Sequence, residues 1–396
     1  MSLTLLRSKL FVYGLSLLLG GGGLLFGAPI SAEEKDPPLN TQLNEQVVYI
    51  PLTNNPDIKL QVTLFHPDGM GPFPLAVLNH GKNYGPSKNE KRYRSVYLAR
   101  YFVSRGYAVI LPMMRGFAGS GGNSWVKGCN AEKEGFQQAL DIADILHSLD
   151  RNEEIPIAFD MQKIVVSGQS LGGWNSLAVG ALNIPGVRGV VNFAGGRSAP
   201  MCPGWQQNLA IAAGHYAQRT QTPSIWFYGD NDQKFPPLVW KGMFQRYSES
   251  GGNVELVAYG SFMEDAHNFV GRVEALPIWT PKLDAFLQRI GLPHTVLNSA
   301  LLPSSYPSPS GFAELQDVQA VPLVDAKGRE IYRDFLKAKS PKVFMISTSG
   351  SAFLVRGGYD PLAQAKNSCR QNGNVCEPYA INDDVVWRGL HPSSSR

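Results

Sequence analysis

Cysteine is scarce in this chain of 396 residues: there are four, at positions 129, 202, 369 and 376, and no two form a Cys-x-x-Cys pair. Histidine is sparse as well, with seven residues scattered along the chain. Structural zinc sites need closely spaced sulfur and imidazole ligands, so this pattern excludes them, and no metal or organic cofactor is implied. Long basic runs are missing too, and 36 Lys and Arg against 32 Asp and Glu leave a net charge of only +4. That balance argues against nucleic acid as the main partner. No internal repeat occurs, which sets aside solenoids and propellers.

An apolar stretch runs from Leu10 to about Phe26 behind Arg7 and Lys9, is broken by four glycines at 20 to 23, and leads into Ile30-Ser31-Ala32. This order is that of a secretory signal peptide over residues 1–32, cleaved after Ala32. The stretch is short and glycine-broken for a membrane anchor, so no stable span is expected after cleavage, and a periplasmic or secreted protein is. In such an oxidising compartment an even number of cysteines favours disulfides. Three pairings exist and the sequence does not choose among them. The favoured one joins Cys369 to Cys376, worth roughly 2 to 3 kcal/mol in the chain-entropy model, and Cys129 to Cys202, worth about 4 kcal/mol.

What is present is enough apolar material for a large core, 43% of residues, in a chain long enough for one large domain and an appendage. "EQVVYIPL", "IKLQVTLFHP", "FPLAVLNHG", "YAVILPMMRG", "VRGVVNFAGG", "PSIWFYGDND" and "NVELVAYG" read as strands. Helical patterns lie between them, as at 92–105, 130–149 and 238–249, and "TPKLDAFLQRIG" closes the series with Pro281 suited to an early helical position. Strands apolar on both faces and alternating with helices predict an α/β fold with a mostly parallel sheet covered on both sides. The catalytic domain is expected over 33–293. A Pro- and Ser-rich linker follows over 294–320, then a small disulfide-stapled C-terminal α+β unit over 321–390 and a tail over 391–396.

One strand ends in a way that packing alone does not require. In "KIVVSGQSLGGWNS", residues 163 to 176, an apolar run gives way to Gly168-Gln169-Ser170-Leu171-Gly172-Gly173. Gly-x-Ser-x-Gly has the form of a nucleophile elbow, a tight strand-to-helix turn that pushes a serine out at the end of a sheet. A serine hydroxyl attacks only when a base takes its proton, and an imidazole serves as that base when a carboxylate orients it. Both partners are expected after later strands. "IWFYGDNDQKFPP" offers Asp230 and Asp232, and "VELVAYGSFMEDAHNFV" offers His267. His66, His147 and His215 read as structural, and His294 and His391 lie beyond the last helix of the domain.

With these motifs the chain resembles the α/β-hydrolase superfamily, and within it the dienelactone hydrolase-like and acyl-peptidase-like serine esterases. The resemblance covers about residues 45 to 290. It rests on His80-Gly81, Arg115-Gly116, "GQSLGG" at 168 to 173, "YGDND" at 228 to 232 and "DAHNF" at 265 to 269. Dienelactone hydrolases carry cysteine at the elbow, whereas this chain has Ser170, so lactone chemistry does not carry over. The resemblance implies Asp232 as the acid. It implies an oxyanion hole of two main-chain amides, those of Leu171 and of Lys82, with Asn83 as an alternative to Lys82, and it gives His80 a supporting part. Arg115 reads either as a brace for its loop or as a partner for a substrate carboxylate, and Trp125, Trp174 and Phe269 either as pocket mouth or as core.

The expected function is a secreted or periplasmic serine hydrolase that cleaves carboxylic esters, small or polymer-linked, through an acyl-enzyme. A serine peptidase of the same fold and a non-catalytic cell-envelope binding protein are the alternatives.

Overall fold

The computed structural model describes residues 36–126, 128–149 and 154–390, so the segment 1–32 expected to be a signal peptide and the expected tail 391–396 lie outside the described residues. The chain from Pro38 onward forms one compact unit that contains both sheets.

The larger sheet has eight strands among the described residues: β1 (Gln46–Leu52), β2 (Asn55–Phe65), β3 (Phe73–Asn79), β4 (Ala108–Pro112), β5 (Phe159–Gln169), β6 (Val187–Phe193), β7 (Ser224–Tyr228) and β8 (Val254–Ala258). They lie in the order β1-β2-β4-β3-β5-β6-β7-β8. The β1-β2 hairpin pairs antiparallel onto β4, and the remaining neighbours are parallel. Side chains alternate between faces along each strand, and in the central strands β3 to β7 most positions on both faces are buried. Ile164 and Val166 of β5 enter one core cluster and Val165 the other. The first cluster is closed by α2 (Ala131–Ser148), α3 (Leu171–Gly180), α4 (Trp205–Arg219) and α5 (Pro237–Glu249). The second is closed by α1 (Val96–Val103) and α6 (Leu276–Arg289). The expected α/β architecture, a mostly parallel sheet with helices on both faces, is what the chain adopts.

Two elements differ in their limits. Helix α1 begins at Val96 rather than near Arg92, because Arg92 and Arg94 are drawn off the helix line into ion pairs with the buried Glu45, and Ser95 adopts a left-handed conformation with φ 33°. Helix α6 begins at Leu276, so Pro277 takes the early position and Pro281 lies inside the helix.

The smaller sheet is antiparallel, with β9 (Lys342–Ser347), β10 (Ala352–Arg356), β11 (Cys376–Ile381) and β12 (Asp384–Val385) in the order β10-β9-β11-β12. Helices α7 (Ala326–Lys337) and α8 (Pro361–Gln371) accompany it. Phe344 and Ile346 of β9 pack with Tyr332 and Phe335 of α7, while Val343 and Met345 pack with Leu362 and Ala365 of α8. Tyr359 ties this part to α1, with its ring 5.2 Å from that of Tyr97 and Arg100 lying 5.0 Å over it. Disulfides join Cys129 to Cys202 and Cys369 to Cys376.

Candidate active site

Strand β5 runs straight into α3 through Ser170, which has φ 57° and ψ −125°. A side chain held at positive φ costs on the order of 1–3 kcal/mol, so the surroundings must impose it. They do so by close approach. A Cβ on Gly168 would stand 2.3 Å from the carbonyl of Gly172, and one on Gly172 would stand 1.9 Å from the carbonyl oxygen of Asn79 at the end of β3. The turn is also bonded on both sides, since Ser170 N–H donates to the Phe193 carbonyl at 3.0 Å and the Ser170 carbonyl accepts from Gly196 at 3.1 Å. The glycines of the motif are therefore steric requirements.

The loops after β7 and β8 bring up the other two groups. Asp232 is buried, and its Oδ1 accepts the main-chain N–H groups of Lys234 and Phe235, both at 2.8 Å. His267 lies in a short 3-10 turn whose preceding residue, Asp265, accepts the His267 N–H at 2.9 Å and the Gln233 N–H at 3.1 Å. The ring then faces Asp232 with Nδ1, at 3.1 and 3.0 Å from the two carboxylate oxygens, and Ser170 Oγ with Nε2, at 3.0 Å. A carboxylate only accepts, so Nδ1 carries the proton and Nε2 is left to accept from the serine hydroxyl. The three residues lie 62 and 35 positions apart along the chain (232 − 170 and 267 − 232), yet they form one unbroken hydrogen-bonded line. Asp230 is exposed and takes no part in that line.

The loop after β3 closes over the elbow. A Cβ on Gly81 would lie 3.3 Å from Ser170 Cβ, so this loop passes directly beside the serine. Of the two amides proposed for its contribution, that of Asn83 is already committed to Glu90 Oε1 at 2.7 Å, and the Asn83 side chain donates to Glu90 Oε2 at 2.7 Å. Among the described residues neither Lys82 N–H nor Leu171 N–H has a main-chain partner. The Lys82 ammonium turns back onto the carbonyls of Asn83 and Gly85, at 3.0 and 2.7 Å. Leu171 N–H opens α3, where the helix dipole favours negative charge.

His80 is buried and unconnected to the serine. Its Nδ1–H donates to the Gly81 carbonyl at 2.6 Å and its Nε2 accepts Met114 N–H at 2.8 Å, with Phe117 edge-on at 4.9 Å. Burial pushes its pKa down from 6.5 to about 4, only partly opposed by the Gly81 bond. Arg115 is held by the carboxylate of Asp141 and lies 4.8 Å over the Trp125 ring, which makes it a brace between its loop and α2. Burial raises the Asp141 pKa despite the Arg115 hydrogen bonds that oppose it. Trp174 and Phe269 are core residues, with Trp174 Nε1–H donating to Ala131 and Phe269 stacked 3.8 Å from Tyr259. Trp125 lines a cleft of about 630 Å³ with Arg115, Lys133 and Gln137, beside Cys129, and that cleft contains none of Ser170, Asp232 and His267. His215 pairs with Glu132 at 2.7 Å, and His66 caps Pro67 at 2.7 Å.

Sequence reasoning missed three contributors to the site. Gln169 reaches the His267 carbonyl, Glu90 fixes the loop after Gly81, and Lys234 bonds the hydroxyl of the exposed Tyr84 while lying 4.0 Å from its ring centroid. The last of these links the loop after β3 to the loop that carries Asp232. Among the described residues no group of three or more His, Cys, Asp and Glu is arranged to hold a metal ion, and no helix is long and apolar enough to cross a membrane.

Residues 57–221 match the family model of X-Pro dipeptidyl-peptidase (S15 family), a span that includes Ser170 and ends before Asp232 and His267. No curated protein matches the chain by sequence. Among solved structures, the chain is similar to a puromycin-hydrolysing peptidase of Mycobacterium tuberculosis, at 16% identity and TM-score 0.46 over 65% of this chain and 41% of that one. It is similar to an esterase of Pyrococcus furiosus at 16% identity and TM-score 0.46, over 65% of this chain and 96% of the other. An acylaminoacyl peptidase of Pyrococcus horikoshii is similar at 13% identity and TM-score 0.48, over 64% and 43% of the two chains. The chain thus spans less than half the length of the two peptidases.

Proposed function

We propose that this chain is a member of the α/β-hydrolase superfamily and a serine hydrolase that cleaves carboxylic esters through an acyl-enzyme. The observation that carries this reading is the hydrogen-bonded line Asp232–His267–Ser170 at 3.0 Å per step, with the serine on the elbow. His267 Nε2 takes the hydroxyl proton as Ser170 Oγ attacks the ester carbonyl, and Asp232 stabilises the imidazolium that forms. The negative oxygen of the tetrahedral intermediate is bound by the main-chain amides of Leu171 and Lys82, each donor worth about 3 kcal/mol in reactions of this kind. His267 then protonates the leaving alcohol and activates a water for deacylation.

Export through a cleaved leader at 1–32 belongs to this reading, and the two disulfides fit an oxidising compartment. In the purified full chain, Ser170→Ala should abolish hydrolysis of short p-nitrophenyl esters and labelling by a fluorophosphonate while leaving the melting temperature unchanged. Retained turnover rejects the nucleophile.

A second reading, cleavage of peptide amides, is favoured by the match to the X-Pro dipeptidyl-peptidase model. Rates on X-Pro dipeptidyl amides comparable to those on esters would select it.

A further inference from the structure

Gln169 occupies the first variable position of the Gly-x-Ser-x-Gly motif, where any side chain satisfies the pattern. It is the last residue of β5, in register with Phe193, and its side chain is half-buried. Its Nε2 donates to the main-chain carbonyl of His267 at 2.8 Å. The carbonyl only accepts, so the carboxamide nitrogen must face it, and the carboxamide oxygen is turned the other way. That oxygen lies against the loop after β3, since a Cβ on Gly81 would stand 3.1 Å from it. One side chain thus touches the histidine loop and the amide-bearing loop while its own backbone leads into the serine.

His267 is held at its N–H by Asp265 of its own loop and at Nδ1 by Asp232 of the loop after β7. The Gln169 bond is the anchor that comes from the elbow itself. We infer that Gln169 is a positioning residue that keeps His267 Nε2 in register with Ser170 Oγ during proton transfer, an inference that rests on the serine hydrolase reading. The mechanical reason is short reach: the carboxamide connects the histidine backbone to the residue adjacent to the nucleophile, so displacement of either loop moves serine and imidazole together. Misplacement by about 1 Å in a reacting pair costs up to about 100-fold in rate.

The test uses the full chain with Gln169→Met, which keeps the side chain's length and removes the donor, and Gln169→Glu, which keeps its shape and turns an acceptor toward the His267 carbonyl. Ester kcat is measured per site titrated with a fluorophosphonate, with KM, melting temperature and the pH profile of kcat/KM. The expected result is a kcat at least about tenfold lower in both variants, with KM and melting temperature close to those of the wild type. In the Glu variant the acid limb of the profile should also move to higher pH, because a carboxylate bound against the His267 main chain adds negative charge near the imidazole and favours the imidazolium. A purely structural role would lower the melting temperature or the titratable fraction and leave kcat per site and the acid limb in place, and that outcome overturns the inference. Ser170→Ala separates the two levels. If it is inactive while both Gln169 variants keep wild-type kcat, only the inference falls; if it keeps turnover, the hydrolase reading falls and takes the inference with it.

Discussion

His80 Nε2 accepts the main-chain N–H of Met114 at 2.8 Å, and this bond exists only while that nitrogen carries no proton. Protonation would set two donors against each other inside a buried site, which agrees with a pKa pushed down from 6.5 to about 4 by burial. Between those values the unfolded chain binds a proton that the folded chain refuses, so stability rises with pH across the window and falls as pH drops from about 6.5 toward 4. The loss attributable to this ring is on the order of 3 kcal/mol. Urea melts between pH 4 and 7 should show it, and His80→Gln, whose amide oxygen can accept from Met114, should flatten that part of the curve. An identical slope in the variant would assign the acid lability to other groups.

Asp232 has two distinct tasks: it accepts two main-chain N–H groups of its own loop and it faces Nδ1 of His267. Asp232→Asn keeps one oxygen for the loop and offers an N–H2 group toward the ring, which selects the tautomer with its proton on Nε2. That tautomer cannot accept from Ser170, so kcat is expected to fall by about 10⁴-fold with little change in melting temperature. A loss below about tenfold would remove Asp232 from the proposed chemistry.

Gly172 and Gly242 both lie in helices, and their substitution by alanine should act in opposite directions. At Gly172 a methyl group would overlap the Asn79 carbonyl oxygen at 1.9 Å, whereas at Gly242 in α5 it would meet nothing within 4 Å. Gly172→Ala is expected to destabilise by about 3 kcal/mol or more, and Gly242→Ala to stabilise by up to about 1 kcal/mol through helix propensity. Thermal melts of the two variants check this pair directly.

The disulfides should separate stability from activity. Cys129–Cys202 closes a loop of 73 positions and Cys369–Cys376 one of 7, so the chain-entropy model assigns about 4 and roughly 2 to 3 kcal/mol. The first also borders the cleft beside Trp125, where Arg197 binds Glu134 at 2.6 Å and Gly128 at 3.3 Å. Replacing Cys129 and Cys202 by serine is expected to lower both melting temperature and ester turnover. The same change at Cys369 and Cys376 should lower the melting temperature alone, and equal effects on turnover would show that the bond joining the segments before α2 and α4 has no particular link to turnover.

The sheet was legible because parallel strands buried on both faces are unbroken apolar runs, and the elbow because its glycines are demanded by backbone contacts within a few residues. The order serine, acid, histidine was legible for a similar reason, each residue following its own strand. What sequence did not carry is contact between side chains far apart along the chain. Nothing local marks Gln169 as the partner of His267, 98 positions away, or Lys234 as the partner of Tyr84, 150 positions away. The start of α1 depends on Glu45, half a hundred residues upstream and reached only after folding. Helix α7 is hard to read for another reason: among its twelve residues only Gly328, Tyr332 and Phe335 are buried, which leaves a thin apolar stripe on a mostly charged segment.

Cys129 precedes Ser170 and Cys202 follows it, so the elbow lies inside a covalently closed ring that excludes both Asp232 and His267. A protease that cuts once between 130 and 201 leaves two fragments tethered to each other, and they part only on reduction. A cut between 203 and 368 instead detaches the proposed nucleophile from the proposed base or leaves them joined according to which side of position 267 it falls, so a map of nicks against residual hydrolysis would tell where the peptide backbone must stay continuous.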